Sequence, residues 1–172
     1  MRTALCLVCL PILALTGCKK VEDGESGTKE ASTQQAIGSY DIDPESGEIT
    51  ASHTDATGVT TTLRAGENVE PRFPEPFTRY PGMTVTNTTR VEQEEGAFVT
   101  VEFTSPDPRE SIVAFYRAQA ETAGIDPDIE IDGGQTTTLG GEHSRQKFSF
   151  ALQVTRIDGQ TEGQLSVASG ID

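Results

Sequence analysis

The chain reads as an α+β protein: an antiparallel sheet with one helix packed on one face, preceded by a β-hairpin and a disordered tether. Three observations carry this. Strand-like segments with a two-residue apolar period dominate the second half of the sequence, a single amphipathic segment of helical period interrupts them, and residues 19–38 have almost nothing to bury. The order expected over residues 83–172 is ββαβββ, with the helix covering one side of the sheet.

The first strand pair follows from Val85, Asn87, Thr89 and Val91, which alternate on one face. Glu92 to Gly96 turns the chain, and Ala97, Val99, Val101 and Phe103 share one face of the next strand. Asp107 is placed as a helix N-cap, with Pro108 at the first helical position and Glu110 as its capping-box partner. The helix then runs to Ala123. Ile112, Val113, Phe115, Tyr116, Ala120 and Ala123 form its apolar stripe, Arg117 and Glu121 face water, and Gly124 is the residue expected just past the end. After it, Ile129 and Ile131 alternate with acidic residues as core-facing positions, and Gly133-Gly134 turns the chain into Thr136 to Leu139. Gly140-Gly141 breaks that pattern. Phe148, Phe150, Leu152 and Val154 mark the clearest strand, and Asp158-Gly159 leads to a return strand through Leu165 and Val167.

Residues 39–70 read as a weaker hairpin. Ile49, Ala51 and His53 alternate, Asp55 to Gly58 offers turn chemistry, and Val59, Thr61 and Leu63 alternate again. Its apolar face is thin, so it must lean on another element. Residues 71–82 hold four prolines and three aromatics. Proline lacks an N–H donor, so this is a connector outside any strand ladder, with Phe73, Phe77 and Tyr80 capping the core and Pro81-Gly82 as a turn.

The N-terminus carries the strongest statement about place. Arg2 supplies a positive start, Ala4 to Ala14 an apolar stretch, and Leu15-Thr16-Gly17-Cys18 an ending with small residues before a cysteine. Pro11 and the shortness of the stretch argue against a spanning helix, which needs about 20 apolar residues. At these positions the chain resembles the bacterial lipoprotein precursors. That resemblance implies cleavage after residue 17, diacylglyceryl transfer to the Cys18 thiol, and a further acyl chain on the freed amine. Residue 19 influences sorting in that family; here it is Lys19 and not the Asp of inner-membrane retention. The resemblance therefore implies an outer-membrane anchor with the domain in the periplasm. Two or more acyl chains make such an anchor practically permanent. Residues 18–38 are polar and charged and form the lipidated tether, whose reach as a flexible coil is roughly 25 Å.

A second resemblance rests on Phe73-Pro74-x-x-Phe77-x-x-Tyr80-Pro81-Gly82, followed by a strand pair and the helix bearing Phe115-Tyr116 and ending at Gly124. This is similar to a group of small uncharacterised bacterial envelope proteins. It spans about the last hundred residues, supports the α+β fold, and transfers no functional residue.

Composition narrows function by exclusion. The net charge is −14, and loss of residues 1–17 removes Arg2 and no acid, so the exported chain is more negative still. Such a surface repels nucleic-acid phosphates. Cys6 and Cys9 leave with the signal and Cys18 is consumed by lipid, so no cysteine remains for a disulfide, a thiolate metal site or a nucleophile. His53 and His143 stand in different hairpins. Ser144 is adjacent to His143 on an extended segment and thus points away from it, and there is no G-x-S-x-G elbow.

Asp126, Asp128, Glu130 and Asp132 followed by Gly133 form a candidate acidic cluster for a hard cation. Position twelve of a calcium loop begun at Asp128 is Leu139, where a bidentate Glu is required, so a solvated acidic edge is the favoured reading. Asp41, Asp43, Glu45 and Glu48 around Gly47 are equally incomplete. No catalytic residue, metal site or cofactor is assigned. The expectation is a non-enzymatic binding or structural module, tied to a membrane through lipid on Cys18 and recognising an envelope protein partner. The rivals are a hydrolase or metal-assisted enzyme built on His143 or the acidic run, and a small-ligand carrier, whose sign would be a deep apolar pocket under the helix.

Overall fold

A computed structural model describes residues 38–171. The signal segment, Cys18 and nearly all of the proposed tether lie outside the described residues. Within them, nine strands form one antiparallel sheet in the order β1-β2-β3-β4-β5-β9-β8-β7-β6. In chain order these are β1 (Gly38–Ile42), β2 (Ile49–Thr54), β3 (Thr60–Gly66), β4 (Thr84–Gln93) and β5 (Gly96–Ser105). The helix α1 (Arg109–Thr122) follows, and then β6 (Ile129–Gly133), β7 (Thr136–Glu142), β8 (Phe148–Ile157) and β9 (Gln160–Ser169).

The expected α+β class with one helix on an antiparallel sheet is what the structure contains. The expected ββαβββ order is corrected: five strands precede the helix and four follow it. Two meanders, β1–β5 and β6–β9, meet where β5 pairs with β9, and α1 carries the chain from the middle of the sheet to its far edge. The expected hairpin of residues 39–70 is thus the outer part of a continuous sheet. Gly38 to Ile42 adds an edge strand to it, and β3 pairs directly with β4.

The core lies between α1 and strands β5, β9, β8 and β7. Cross-strand registers align Val101, Leu165, Leu152 and Leu139 in one row, and Val99, Val167 and Phe150 in the next. All but Phe150, which is nearly so, are fully shielded from solvent, as are Ile112, Tyr116 and Ala120 on the helix. These rows follow from strict alternation of apolar residues on one face. Phe77 of the connector is buried against Tyr116, Phe148 and Phe150, while Phe73 and Tyr80 pack at the margin, so the aromatics of residues 71–82 do cap the core.

The helix ends as expected: Gly124 adopts φ +75°, its N–H donates to Glu121 O at 3.0 Å, and Ile125 N–H donates to Ala120 O at 2.9 Å. This is the Schellman arrangement, with buried Ile125 as its apolar partner. The start differs from expectation. The helix is preceded by Pro108 with no side-chain cap, because the Asp107 carboxylate accepts instead from the Tyr80 hydroxyl at 2.9 Å.

Two strand faces are also corrected. A bulge between Val85 and Asn87 inserts one residue into β4, and an inserted residue reverses the alternation beyond it. Thr88 and Arg90 therefore point to the helix side and are buried, while Asn87, Thr89 and Val91 face the other way. In β7, Gly140 and Gly141 do not break the strand. A Cβ on Gly141 would lie 3.1 Å from Pro127 Cα and from Asp126 O, so the glycine gives the residue 125–127 segment room to lie on the strand.

Candidate functional site

The outer flank of α1 and the edge strand β6 enclose an open groove of about 380 Å³. Its floor comes from helical spacing: Ala114 and Ala118 lie one turn apart on the side of the helix away from the buried Ile112, Tyr116 and Ala120, and Val113, partly buried against the core, borders them. Short side chains at Ala114 and Ala118 leave the space open. Thr137 of β7 closes the bottom.

Two ion pairs link the groove's walls. Arg117 Nη2 donates to Glu130 Oε1 at 2.6 Å, and Arg109 Nη2 lies 3.2 Å from Asp132 Oδ1. Arg109 also donates from Nε to Glu110 at 2.9 Å. That bond, with Asp132 nearby, raises the affinity of its guanidinium for the proton, and the same bond from Arg109 holds the Glu110 carboxyl below the ordinary range. Arg109 Nη1 is buried without a hydrogen-bond partner.

The candidate acidic cluster is thereby divided. Glu130 and Asp132 project toward the helix and are paired with arginines, whereas Asp126 and Asp128 are exposed on the segment leading into β6. Successive carboxylates on an extended chain stand about 6.6–7 Å apart, too far to converge on one cation. Among the described residues, no group of three or more His, Cys, Asp or Glu side chains is placed to hold a metal ion. The expectation that Ile129 and Ile131 face the core is overturned: they are 50% and 62% exposed on the helix-free face. The reason is the edge position of β6, whose helix-side residues meet the charged flank of α1 and not its apolar stripe. Arg117, expected to face water, is only one-third exposed because of its bond to Glu130.

The remaining polar candidates have local work. His143 Nδ1 accepts from Arg145 N–H at 3.1 Å and Gln146 N–H at 3.0 Å and so organises the turn before β8, while Ser144 is exposed. His53 is exposed on β2. Asp43 Oδ1 accepts from the N–H groups of Glu45 and Ser46, which holds its carboxyl below the ordinary range and explains that acidic stretch as a turn.

Beneath α1 the space anticipated for a deep apolar pocket is filled by Ile112, Tyr116, Leu139, Leu152 and Phe77. The open space at the helix therefore lies on its flank. The signal for this groove was present in the sequence as Arg109 and Arg117 two helical turns apart and Glu130 and Asp132 two residues apart. Their pairing needed the crossover that brings β6 beside α1.

A family model described as START domain-like matches residues 85–163, just under half of the chain. The matched segment runs from β4 into β9 and includes the whole flank groove. START domain-like modules are generally ligand-binding rather than catalytic, and a binding role is compatible with the match. No curated protein matches the chain, and no solved structure does.

Proposed function

We propose that this protein is a lipid-anchored envelope protein whose α+β domain is a non-enzymatic binding module, and that the flank groove of α1 is where it binds. The anchor is the acylated Cys18, with the domain in the periplasm at the outer membrane. The observation that carries the binding role is the groove itself: a narrow apolar floor of Val113, Ala114 and Ala118 between charged walls, inside the START domain-like segment. Such a site takes an amphipathic ligand or the amphipathic segment of an envelope partner, with its apolar part on the helix and its polar groups against Arg109 and Glu130.

Ala118 is exposed, so Ala118→Trp fills the groove without touching the core. Nile red, a neutral apolar dye, is expected to bind the protein saturably and to lose that binding in Ala118→Trp while the circular dichroism spectrum is unchanged. Absence of saturable binding, or equal binding by the variant, overturns the groove assignment. For the anchor, mass spectrometry of protein from the native membrane is expected to find acyl chains at Cys18, and Cys18→Ser is expected to release the chain into the soluble fraction.

A further inference from the structure

We propose that a second groove, at the opposite end of the sheet, binds an oxyanion such as a phosphate or carboxylate group. It is an open space of about 630 Å³ into which Arg64 of β3, Arg72 of the connector and Arg90 of β4 all project. In a chain with 13 basic residues against 27 acidic ones, the meeting of three arginines from three separate segments is a local concentration of positive charge.

The ladder sharpens the point. Arg64 and Arg90 are direct partners in the β3–β4 register and share the helix-side face. Directly opposed side chains have Cβ atoms about 4.5–5.5 Å apart, a placement that is destabilising for like charges. Arg90 is also buried, its side chain only 6% exposed. Its Nη1 donates to Glu70 O at 3.4 Å and its Nη2 to Glu92, but Nε is buried with no partner. Two residues earlier on the same face, Thr88 Oγ1 is likewise buried and unpartnered. A buried guanidinium with an unused donor costs stability. Local features that oppose folding in this way are expected at functional or strained sites.

The carboxylates nearby leave most donors open. Arg64 Nη1 stands 3.7 Å from Glu48, beyond hydrogen-bond reach, and Arg72 meets Glu70 only through Nε at 3.5 Å. Both guanidinium groups are more than half exposed and free to swing onto an anion. Planar guanidinium forks match the paired oxygens of phosphate and carboxylate. Thr62, directly across from Glu92, adds a neutral hydroxyl donor on the groove wall. Glu92 and Glu94 also line the groove and compete for the arginines, so millimolar rather than tight binding is expected.

The test uses the full chain. Its thermal midpoint, followed by far-UV circular dichroism, is measured against inorganic phosphate and against chloride at matched ionic strength. Phosphate is expected to raise the midpoint saturably over the millimolar range, and Arg64→Gln/Arg72→Gln to weaken that response at least about tenfold, the loss of two charge-assisted contacts. Because both arginines are exposed, the double variant retains the fold where Arg90→Gln would leave Glu92 unpaired. Co-sedimentation of the Cys18→Ser chain with phosphatidylglycerol vesicles, against phosphatidylcholine vesicles, separates the sources. Binding to the former that depends on Arg64 and Arg72 assigns a lipid headgroup, and a phosphate response without it assigns a free anion. No arginine-dependent response in either arm overturns the proposal. Ala118→Trp is expected to leave both responses intact, which separates this groove from the one beside α1.

Discussion

The two meanders of the sheet share one backbone plan and differ in what lies over them. Over β7, β8 and β9 the helix supplies Ile112, Tyr116 and Ala120, and the strand positions beneath are Leu139, Leu152, Val154, Leu165 and Val167, each fully shielded. Over β3 and β4 there is no helix. The cover is the stretch between β3 and the connector, through Val69 and the Glu70 carbonyl, and the strand positions are Thr62, Arg64, Gly66, Thr88 and Arg90. Burial of hydrocarbon stabilises in proportion to area, whereas burial of guanidinium and hydroxyl groups costs free energy unless each is paired. The second meander together with β5 therefore holds the apolar core, and the outer part of the first meander leaves polar groups buried without a partner.

The largest expected break in this contrast is Leu152→Ala in β8, which should cost about 2–5 kcal/mol by leaving a cavity in the central row. Leu63→Ala in β3, on the helix-free face and only half-buried, should cost under about 1.5 kcal/mol. Urea unfolding midpoints of the two variants compare the halves directly; equal losses would refute the division.

Alkaline titration comes next. Burial under the connector pushes the Tyr116 hydroxyl up to about 12, partly offset by the hydrogen bond it accepts from Tyr80 N–H and by Arg79. The unfolded chain releases this proton near pH 10 while the folded chain retains it. The stabilisation is thus fully present below pH 10 and is lost as pH rises toward 12, an effect of about 2–3 kcal/mol. Tyr116→Phe should flatten the fall of the urea midpoint across that window, and an unchanged slope would show that other groups cause it.

A smaller effect is expected at Gly163. Its Cβ would lie 2.9 Å from Phe103 Cε1 and closer still to Cζ, because the Phe103 ring fills the space where β9 lacks a side chain. Gly163→Ala should cost about 1–3 kcal/mol through overpacking. A neutral or stabilising result would mean that Phe103 can swing aside and that the core beside β5 is looser than the rows beyond it.

How much of this was legible depends on whether the deciding physics was local. The strands through Val99–Phe103 and Phe148–Val154, the helix stripe of Ile112, Tyr116 and Ala120, and the glycine stop at Gly124 all follow from residues a few positions apart. All of these were legible. The bulge at Val85/Asn87 was not, because no residue type announces it, and one inserted residue moved Thr88 and Arg90 to the buried side. Asp107 looked like a cap until Tyr80, distant in sequence, claimed its carboxylate. Ile129 and Ile131 alternate as core residues do, but alternation says only that two faces differ. Of the flank groove, the carboxylates Glu130 and Asp132 stood out as an acidic run and the arginines Arg109 and Arg117 as solvent-facing helix positions. Nothing in their spacing joined them. Arg64, Arg72 and Arg90 carried no signal at all, being scattered over 27 positions.

By itself, then, the amino-acid order determined element types, the periods of their apolar faces and where the helix stops, since propensity and patterning act over neighbouring residues. It also carries the linear motif Leu15-Thr16-Gly17-Cys18, on which the proposed anchor rests. Tertiary structure alone decided which face of β4 and β6 meets the helix side, which charges pair, and that three distant arginines share a groove. Those outcomes depend on strand register and on a crossover that brings the far edge of the sheet beside α1, and register is set by the fit of the whole chain rather than by any one segment.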